Sequence, residues 1–360
     1  MKKEYRIQIA DYNSRDLKSM QKCDENSYDK AQNAIFRYVI VFLAFVPALT
    51  FSGCGQKVKN PKQGLSETQI EAHRIIREAL SSDNILAKIN AIEIAATTRQ
   101  ENYMPTITQL LNDPYVPVRF AASVAVGEMQ HRSALKSVNQ LLRDNDPNVI
   151  IAASYAMARL GYPEYLKILH ESAINNENPT IKANSALLLG KIGDRSATQL
   201  LYQLLKDPRD IVAYQAAEAL AMLGDVKIYE KIWAMLISAF ADIKITGIRS
   251  MGALGTVEAE NALVSMLSDP VIEVRLAAAG QLGKMGNRKG QNVVLEVFKK
   301  NLSSNQDYQS RERINTLTAL AIGEIGTKNL TKFLPELMKN ESPFVRLAAA
   351  KAVFQSSLHL

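Results

Sequence analysis

Apolar positions along this chain recur at helical spacing, and the helical pattern itself repeats. The stretch Asp269–Gly286, DPVIEVRLAAAGQLGKMG, has close relatives along most of the sequence. When the relatives are aligned on the last glycine, which we call the anchor, they end at Gly161, Gly193, Gly224, Gly255 and Gly286, in steps of 32, 31, 31 and 31 residues. Such a period is typical of stacked helical repeats, in which each unit buries its apolar face only against its neighbours.

Each repeat is predicted to contain a helix A, a short turn and a helix B. A first helix, Thr68–Leu80, is expected to cap the stack. The A helices are expected to begin near Ile85, Tyr115, Asn148, Thr180, Ile211, Asp242, Val271, Arg313 and Phe344. Several of them follow an Asp-Pro pair, which suits a helix start. Their small central residues favour close packing. The sequence therefore predicts an all-α solenoid of about eight to nine two-helix repeats over residues 68–360.

The B helices carry a polar surface and an aromatic column. Positions eight and twelve after the anchor are apolar, whereas positions six and ten are mostly polar and are expected to line the concave face. Position nine holds a ring in three successive repeats, beside polar neighbours. The predicted partner-binding set is His170, Gln199, Tyr202, Gln203, Glu230 and Trp233. Aromatic residues at a groove edge are common interface anchors, but burial between repeats would explain the same rings.

Two irregularities break the period. The step from Gly286 to Gly326 is 40 residues, and the excess falls in Asn301–Glu312, which indicates a protruding loop or a lengthened helix. The last unit ends in AVFQSSLHL, without room for a helix B. Leu347, Val353 and Phe354 are therefore expected to be exposed or covered by another molecule, and self-association at this C-terminal edge is one way to cover them.

The N-terminal region contains the apolar segment Tyr38–Phe51, interrupted by Pro47. Its fourteen residues would span roughly 21 Å as a helix, short of the ~30 Å hydrocarbon core, so a signal peptide is favoured over a membrane-spanning helix. The ending Ser52-Gly53-Cys54 resembles a bacterial lipoprotein lipobox. The resemblance implies that residues 1–53 are removed and that Cys54 is acylated, and residues 54–67 are then a polar tether. An uncleaved anchor with a free cysteine is the alternative.

The pattern DPxxxVRxAAxxxLGxxG resembles the HEAT-like repeat of the phycobilisome-lyase type, over about Ile85–Gln355. Its basic position is occupied here by Arg119, Lys182, Lys244, Arg275 and Arg346, whereas Ile150, Ala213 and Asn315 depart from it. The resemblance implies that this basic residue pairs with an Asp at a neighbouring repeat entrance. Bilin attachment is the enzymatic role that the family suggests.

Composition and motif content narrow the function. The 43 basic and 36 acidic residues give a net charge of +7 without a long basic run, so nucleic-acid binding is disfavoured. The 4 histidines are scattered, and only His170-Glu171 forms the HE pair of which di-iron hydroxylases of the deoxyhypusine type need several, which excludes that activity. No zinc-protease, phosphate-loop or nucleophile-elbow motif occurs.

These observations predict no catalytic residue, no metal site and no cofactor. The predicted function is that of a non-enzymatic scaffold that binds a protein partner on the concave B-helix face. Acylated Cys54 would tether it to a membrane of the bacterial cell envelope, on the periplasm-facing side of the outer membrane. A bilin-lyase-like enzyme or accessory subunit is the alternative.

Overall fold

The computed structural model describes residues 65–356, which fold into nineteen α-helices joined by turns and short 3₁₀ segments. The predicted signal peptide, Cys54 and most of the predicted tether lie outside these residues. In chain order the helices are α1 (Glu67–Leu80), α2 (Ile85–Thr97), α3 (Met104–Gln109), α4 (Val116–Met129), α5 (Leu135–Leu141), α6 (Pro147–Arg159), α7 (Leu166–Asn175), α8 (Pro179–Ile192), α9 (Thr198–Leu204), α10 (Asp210–Met222), α11 (Tyr229–Leu236), α12 (Ala241–Leu254), α13 (Val257–Met266), α14 (Ile272–Lys284), α15 (Gln291–Lys299), α16 (Tyr308–Ile325), α17 (Lys328–Thr331), α18 (Leu334–Leu337) and α19 (Pro343–Ser356).

The all-α repeat fold is confirmed. The A helices are α2, α4, α6, α8, α10, α12, α14, α16 and α19, and each packs against the next. The B helices are α3, α5, α7, α9, α11, α13, α15 and the pair α17–α18. A B helix packs between the A helix before it and the A helix after it, as α7 does between α6 and α8.

The anchor positions end the A helices in the left-handed backbone conformation, which glycine adopts at little cost. All six anchor glycines from Gly161 to Gly326 have φ between 67° and 105°. Two residues other than glycine, Arg99 and Gln130, adopt φ of 55° and 51° in the same register. Arg99, Gln130 and Gly161 are spaced by 31 residues, so the first two repeats have the same anchor position as the others. The sequence pattern does not show this, because neither Arg99 nor Gln130 is a glycine.

Small residues let neighbouring A helices approach closely, as the sequence indicates. A Cβ added at Gly190 would lie 2.7 Å from Cα of Ala219, and one at Gly323 would lie 2.7 Å from Cα of Ala352. Backbone cannot yield to such an overlap, so these glycines are required where α8 meets α10 and where α16 meets α19.

The array closes on itself. Helix α19 packs against α1 and α2, so α1 lies between the last and the first A helix. The His73 ring of α1 is 4.8 Å from the Phe354 ring of α19, and His73 Nδ1 is 2.6 Å from the Tyr103 hydroxyl oxygen. Lys351 Nζ of α19 is 3.4 Å from Glu93 Oε1 of α2. Helix α1 therefore supplies the B helix that the ninth repeat lacks, and the result is a ring of nine A helices.

The expected open C-terminal edge is wrong. Leu347, Val353 and Phe354 are all buried within the chain itself. The reason is that the first helix of the described chain, which the sequence places at the opposite end of an open stack, covers this edge. The burial of these three side chains, within the part of the chain that the structure describes, removes the observation on which the predicted self-association rested.

The insertion before Gly326 mostly lengthens a helix. Helix α15 ends at Lys299 and α16 begins at Tyr308, five residues before the expected start at Arg313. Asp307 caps α16 by accepting a hydrogen bond from the Ser310 backbone N–H at 2.9 Å. The sequence leaves open a protruding loop or a lengthened helix, and the structure combines the two as a short turn followed by a longer A helix.

We expect Phe354→Ala to lower the free energy of unfolding by about 3 kcal/mol or more, because it leaves a cavity at the ring closure. Phe240→Ala is the matched control, since Phe240 is 56% exposed and Phe354 is 5% exposed. The control is expected to change stability by at most ~0.5 kcal/mol. Urea unfolding of both variants tests the closure, and equal losses would contradict it.

Candidate protein-binding surface

Nine charged side chains occupy two fixed register positions on the A helices, two and six residues before the anchor. Each A helix contributes one of them. For α19 the anchor position is taken as one 31-residue period after Gly326. We call them the axial charges, and in ring order they are Glu93, Glu128, Arg159, Lys191, Glu218, Arg249, Lys284, Glu324 and Lys351.

The axial charges converge inside the ring. Burial raises the pKa of Glu93. The positive charges of Lys351, Lys191 and Arg249, on α19, α8 and α12, act in the opposite direction and lower it. The geometry agrees, because Lys191 Nζ of α8 is 3.3 Å from Glu128 Oε1 of α4, two places away around the ring, and Glu93 of α2 lines the same small cavity. Burial likewise lowers the pKa of Lys284, against the opposing effect of Glu324. The A helices therefore form the inner layer and the B helices the outer layer.

The expected concave B-helix face is wrong for this reason. The polar columns of the B helices lie on the outer surface of the ring. Hydrophobic periodicity identifies which column of a helix is polar, but not toward which side the stack curves. One sequence feature does mark the inner layer, namely a charged residue at one of two fixed positions in helices that are otherwise rich in alanine and leucine. The periodicity of apolar residues does not reveal it.

Ion pairing offsets much of the desolvation cost of burying the axial charges. Arg249 Nη2 is 3.0 Å from Glu218 Oε2, and Lys191 Nζ is 3.3 Å from Glu128 Oε1. The Tyr155 hydroxyl donates a further hydrogen bond to Glu128. A cavity beside Glu93, Glu128 and Lys191 has a volume of only about 10 Å³, which is room for about one water molecule. The axial charges are thus packed against one another as part of the core.

We expect Arg249→Met to cost about 3–5 kcal/mol of unfolding free energy, because it leaves Glu218 buried without its counter-charge. The side chains of Arg249 and Glu218 are only 4% and 1% exposed. Glu218→Leu combined with Arg249→Met should recover most of this loss. Urea unfolding of the single and double variants is the measurement, and a double variant no more stable than Arg249→Met would contradict the pairing.

The aromatic column bridges neighbouring repeats. His170 Nε2 is 2.6 Å from Asp194 Oδ2, and the Tyr202 hydroxyl donates to Asp225 Oδ2 at 3.0 Å. Both acids directly follow the anchor glycine of the next repeat. Burial would raise the pKa of Asp194, but hydrogen bonds from Ser196 and His170 hold it below its usual value.

Of the six residues in the predicted partner-binding set, the three rings are partly buried. Trp233 stacks on Tyr229 at 6.4 Å between ring centroids. The contacts of His170 and Tyr202 favour burial between repeats as the explanation of the column, whereas the ring contact of Trp233 lies within its own helix. Gln199, Gln203 and Glu230 are instead exposed, on the outer surface of α9 and α11.

A groove opens beside these exposed residues, between α7 and α9. It has a volume of about 200 Å³ and is lined by Ile174, Lys182, Leu200, Gln203, Leu204, Lys206 and Asp207. Ile174 at its rim is 50% exposed. In the next repeat, Ile237 and Phe240 are also exposed. The outer surface of α7, α9 and α11 with the turn after α11, which we call the α7–α11 surface, thus combines exposed apolar side chains, polar side chains and a groove.

A ladder of ion pairs joins the repeats at the end of the ring where the A helices begin. Its rungs are Lys88–Asp113 at 2.9 Å, Arg119–Asp144 at 2.8 Å, Lys182–Asp207 at 3.6 Å and Lys244–Asp269 at 2.6 Å. In these four rungs the pairing that the repeat resemblance implies is present. Arg275 and Arg346 instead donate to backbone carbonyls of Asp269 and Asn340 at 2.8 Å.

One rung is longer than the others, and it lies at the groove. Asp207 accepts hydrogen bonds from Arg209 Nε at 2.7 Å and Arg209 Nη2 at 2.6 Å. These bonds lower the pKa of Asp207 to about 2. With Asp207 occupied in this way, Lys182 Nζ stays 3.6 Å from the nearer carboxylate oxygen, beyond hydrogen-bonding distance.

We expect Arg209→Gln to raise the pKa of Asp207 from about 2 toward the ordinary value near 3.9. Because the folded-state pKa is lowered, the pair stabilises the protein above the unfolded pKa, and this contribution is lost as the pH falls toward 2. A carboxyl ¹³C NMR titration measures the midpoint, with Lys88→Gln, beside Asp113, as the control that leaves Asp207 unchanged. An unchanged Asp207 midpoint in Arg209→Gln would contradict the assignment.

Two further properties concern only the part of the chain that the structure describes. Residues 65–356 contain no group of three or more His, Cys, Asp or Glu side chains arranged to hold a metal ion. Over the same residues, no helix has the length and apolar character needed to span a bilayer.

The sequence matches the family model for HEAT repeats in four overlapping segments, residues 104–181, 136–221, 166–241 and 229–318. Together they cover residues 104–318, more than half of the chain, and the chain belongs to the HEAT repeat family. A comparison with curated protein sequences finds no match.

Several solved structures are similar. The complex of CpcE and CpcF of phycocyanin lyase from Nostoc sp. PCC7120 is 18% identical, with a TM-score of 0.42, over 74% of this chain and 99% of that one. Human deoxyhypusine hydroxylase in complex with glycerol is 17% identical, with a TM-score of 0.36, over 72% and 97%. YibA of E. coli is 16% identical, with a TM-score of 0.34, over 82% and 99%. At these values the likeness concerns the helical repeats alone.

Proposed function

We propose that this protein is a non-enzymatic scaffold that binds a protein partner on the α7–α11 surface. The observation that carries the proposal is the contrast between the two layers of the ring. The inner layer is packed with paired charges, whereas the outer layer presents a groove of about 200 Å³ beside Ile174 and next to the exposed Ile237 and Phe240. Exposed apolar side chains rimmed by polar ones are typical of interaction sites.

The polar residues of the predicted set contribute to this surface. Gln203 lines the groove, and Gln199 and Glu230 lie on the same outer face of α9 and α11. His170 and Tyr202 act differently in this proposal, because their hydrogen bonds to the acids after the next anchor glycine hold neighbouring repeats in register. Trp233 instead stiffens α11 itself by stacking on Tyr229. Rigid placement of the exposed residues lowers the conformational entropy lost on binding.

We further propose that acylated Cys54 tethers the ring to the periplasm-facing side of the outer membrane in the bacterial cell envelope. Helix α1 begins at Glu67, thirteen residues after Cys54. A chain of that length spans at most ~45 Å when extended. The tether would therefore keep the ring within about one domain diameter of the membrane and connect it through the helix that closes the ring.

Photo-crosslinking in cells tests partner binding. We expect a photoreactive residue at Gln203 or at Phe240 to yield the same crosslinked partner. Lys300, exposed on the outer surface after α15, is the matched control position. Crosslinks of equal yield from all three positions, or from Lys300 alone, would overturn the proposed surface.

The lipid anchor is tested by intact-mass measurement of protein extracted from membranes. We expect a chain that begins at an acylated Cys54 in the unsubstituted protein and in Cys23→Ala. Cys54→Ala should lack the acyl mass and leave the membrane fraction, because attachment of this kind depends on buried acyl chains. A chain that retains residue 1 without modification would refute the anchor.

Bilin attachment is the enzymatic alternative. A bilin needs a pocket in the usual ligand range of ~300–1,000 Å³, and the groove has about 200 Å³. Incubation of the purified protein with phycocyanobilin distinguishes the two functions. A bilin absorbance band that persists after denaturation would favour the alternative.

A further inference from the structure

We propose that the groove between α7 and α9 binds a carboxylate of the protein partner together with an adjacent aliphatic side chain. The carboxylate would pair with the Lys182 ammonium group, and the aliphatic side chain would pack against Ile174, Leu200 and Leu204. This inference rests on the proposed function in one respect, namely that the partner is a protein.

The first observation is that Lys182 stands apart from its counterparts in the ladder. Lys88 and Lys244 hold the equivalent position in other repeats, and their ammonium groups lie 2.9 and 2.6 Å from their aspartates. Lys182 Nζ lies 3.6 Å from Asp207. Of these three lysines, Lys182 is the one that lines the groove, so the loosest rung of the four lies at the groove.

The second observation explains the loose rung. The residue two positions after the entrance aspartate is Tyr115 after Asp113 and Val271 after Asp269, but it is Arg209 after Asp207. Arg209 binds the Asp207 carboxylate through Nε and Nη2 and donates from Nη1 to the Glu177 carbonyl oxygen at 2.7 Å. The guanidinium group is thereby fixed on Asp207, and the Lys182 charge is left without a hydrogen-bonded counter-ion from this carboxylate.

The third observation is the composition of the groove. Its charged lining consists of Lys182, Lys206 and Asp207, and Asp207 is held by Arg209. The remaining lining is Ile174, Leu200, Leu204 and Gln203. A volume of about 200 Å³ accommodates roughly one or two side chains. Two ammonium groups beside an aliphatic wall fit an anionic group attached to a short apolar chain.

The experiment uses hexanoate as the probe and hexanamide as its neutral isostere. The full chain in detergent micelles, with ¹³C-labelled isoleucine and leucine methyl groups, is titrated with each compound and followed by NMR. We expect hexanoate to shift the methyl signals of Ile174, Leu200 and Leu204 at lower concentration than hexanamide does. Equal responses to the two compounds would overturn the carboxylate assignment.

Three variants make the test specific. Lys182→Gln should weaken hexanoate binding about three- to fivefold, the range of a partly exposed ion pair. Lys244→Gln removes the equivalent lysine of an intact rung and should leave binding unchanged. Arg209→Gln should also weaken binding, because Asp207 becomes free to pair with Lys182. Equal losses in Lys182→Gln and Lys244→Gln, or tighter binding in Arg209→Gln, would refute the inference.

Two peptides distinguish the possible sources of the carboxylate. One carries a Glu beside a Leu and has an amidated C-terminus, and the other ends in Leu with a free carboxylate. Preferential binding of either supports the inference and identifies the source, whereas failure of both to compete with hexanoate contradicts it. Loss of the crosslinks at Gln203 and Phe240 would instead remove the proposed function, so the two failures are distinguishable.

Discussion

The packing of α1 between α19 and α2 is the interaction on which the rest of this structure depends. Each two-helix unit buries apolar surface only against its neighbours, so an open array would leave two uncovered ends. Here one helix covers both, because it occupies the place of the missing ninth B helix and buries Phe354. Within residues 65–356, the first and last repeats therefore cover each other's ends without a polar capping repeat.

Closure also determines the electrostatics. Each A helix contributes one axial charge, and in ring order the signs are − − + + − + + − +. In an open array Glu93 and Lys351 would lie at opposite ends, far beyond interaction distance, whereas in the ring they are 3.4 Å apart. Burying such charges costs several kcal/mol per ion unless they are paired. Closure thus provides Glu93 with the counter-charge that offsets its desolvation cost. Because the A helices use their charged side chains on one another, only the outer layer of B helices remains for binding a partner.

Much of the fold could be predicted from the sequence, because the repeat period reports local helix length and turn position. The helix starts at Ile85 and Val116 lie at or next to their expected positions. Curvature could not be predicted, since it accumulates from small rotations between repeats that no residue pattern encodes directly. For the same reason the buried state of Phe354 and the outer position of Gln203 were missed. The loose rung at Lys182 depends on the side-chain geometry of Arg209 and required coordinates.

The position of α1 has a consequence for the order of folding. The repeats can form one after another from local contacts, but the contact between Glu93 and Lys351 joins residues 258 positions apart. Contacts of such long sequence separation form late, because the loop-closure entropy must be lost before the contact stabilises anything. Helix α1 can pack against α2 as soon as both are synthesised, whereas its contact with α19 forms only once α19 exists. Closure of the ring is therefore expected to be the last step of folding, after the A helices α2 to α16 have stacked.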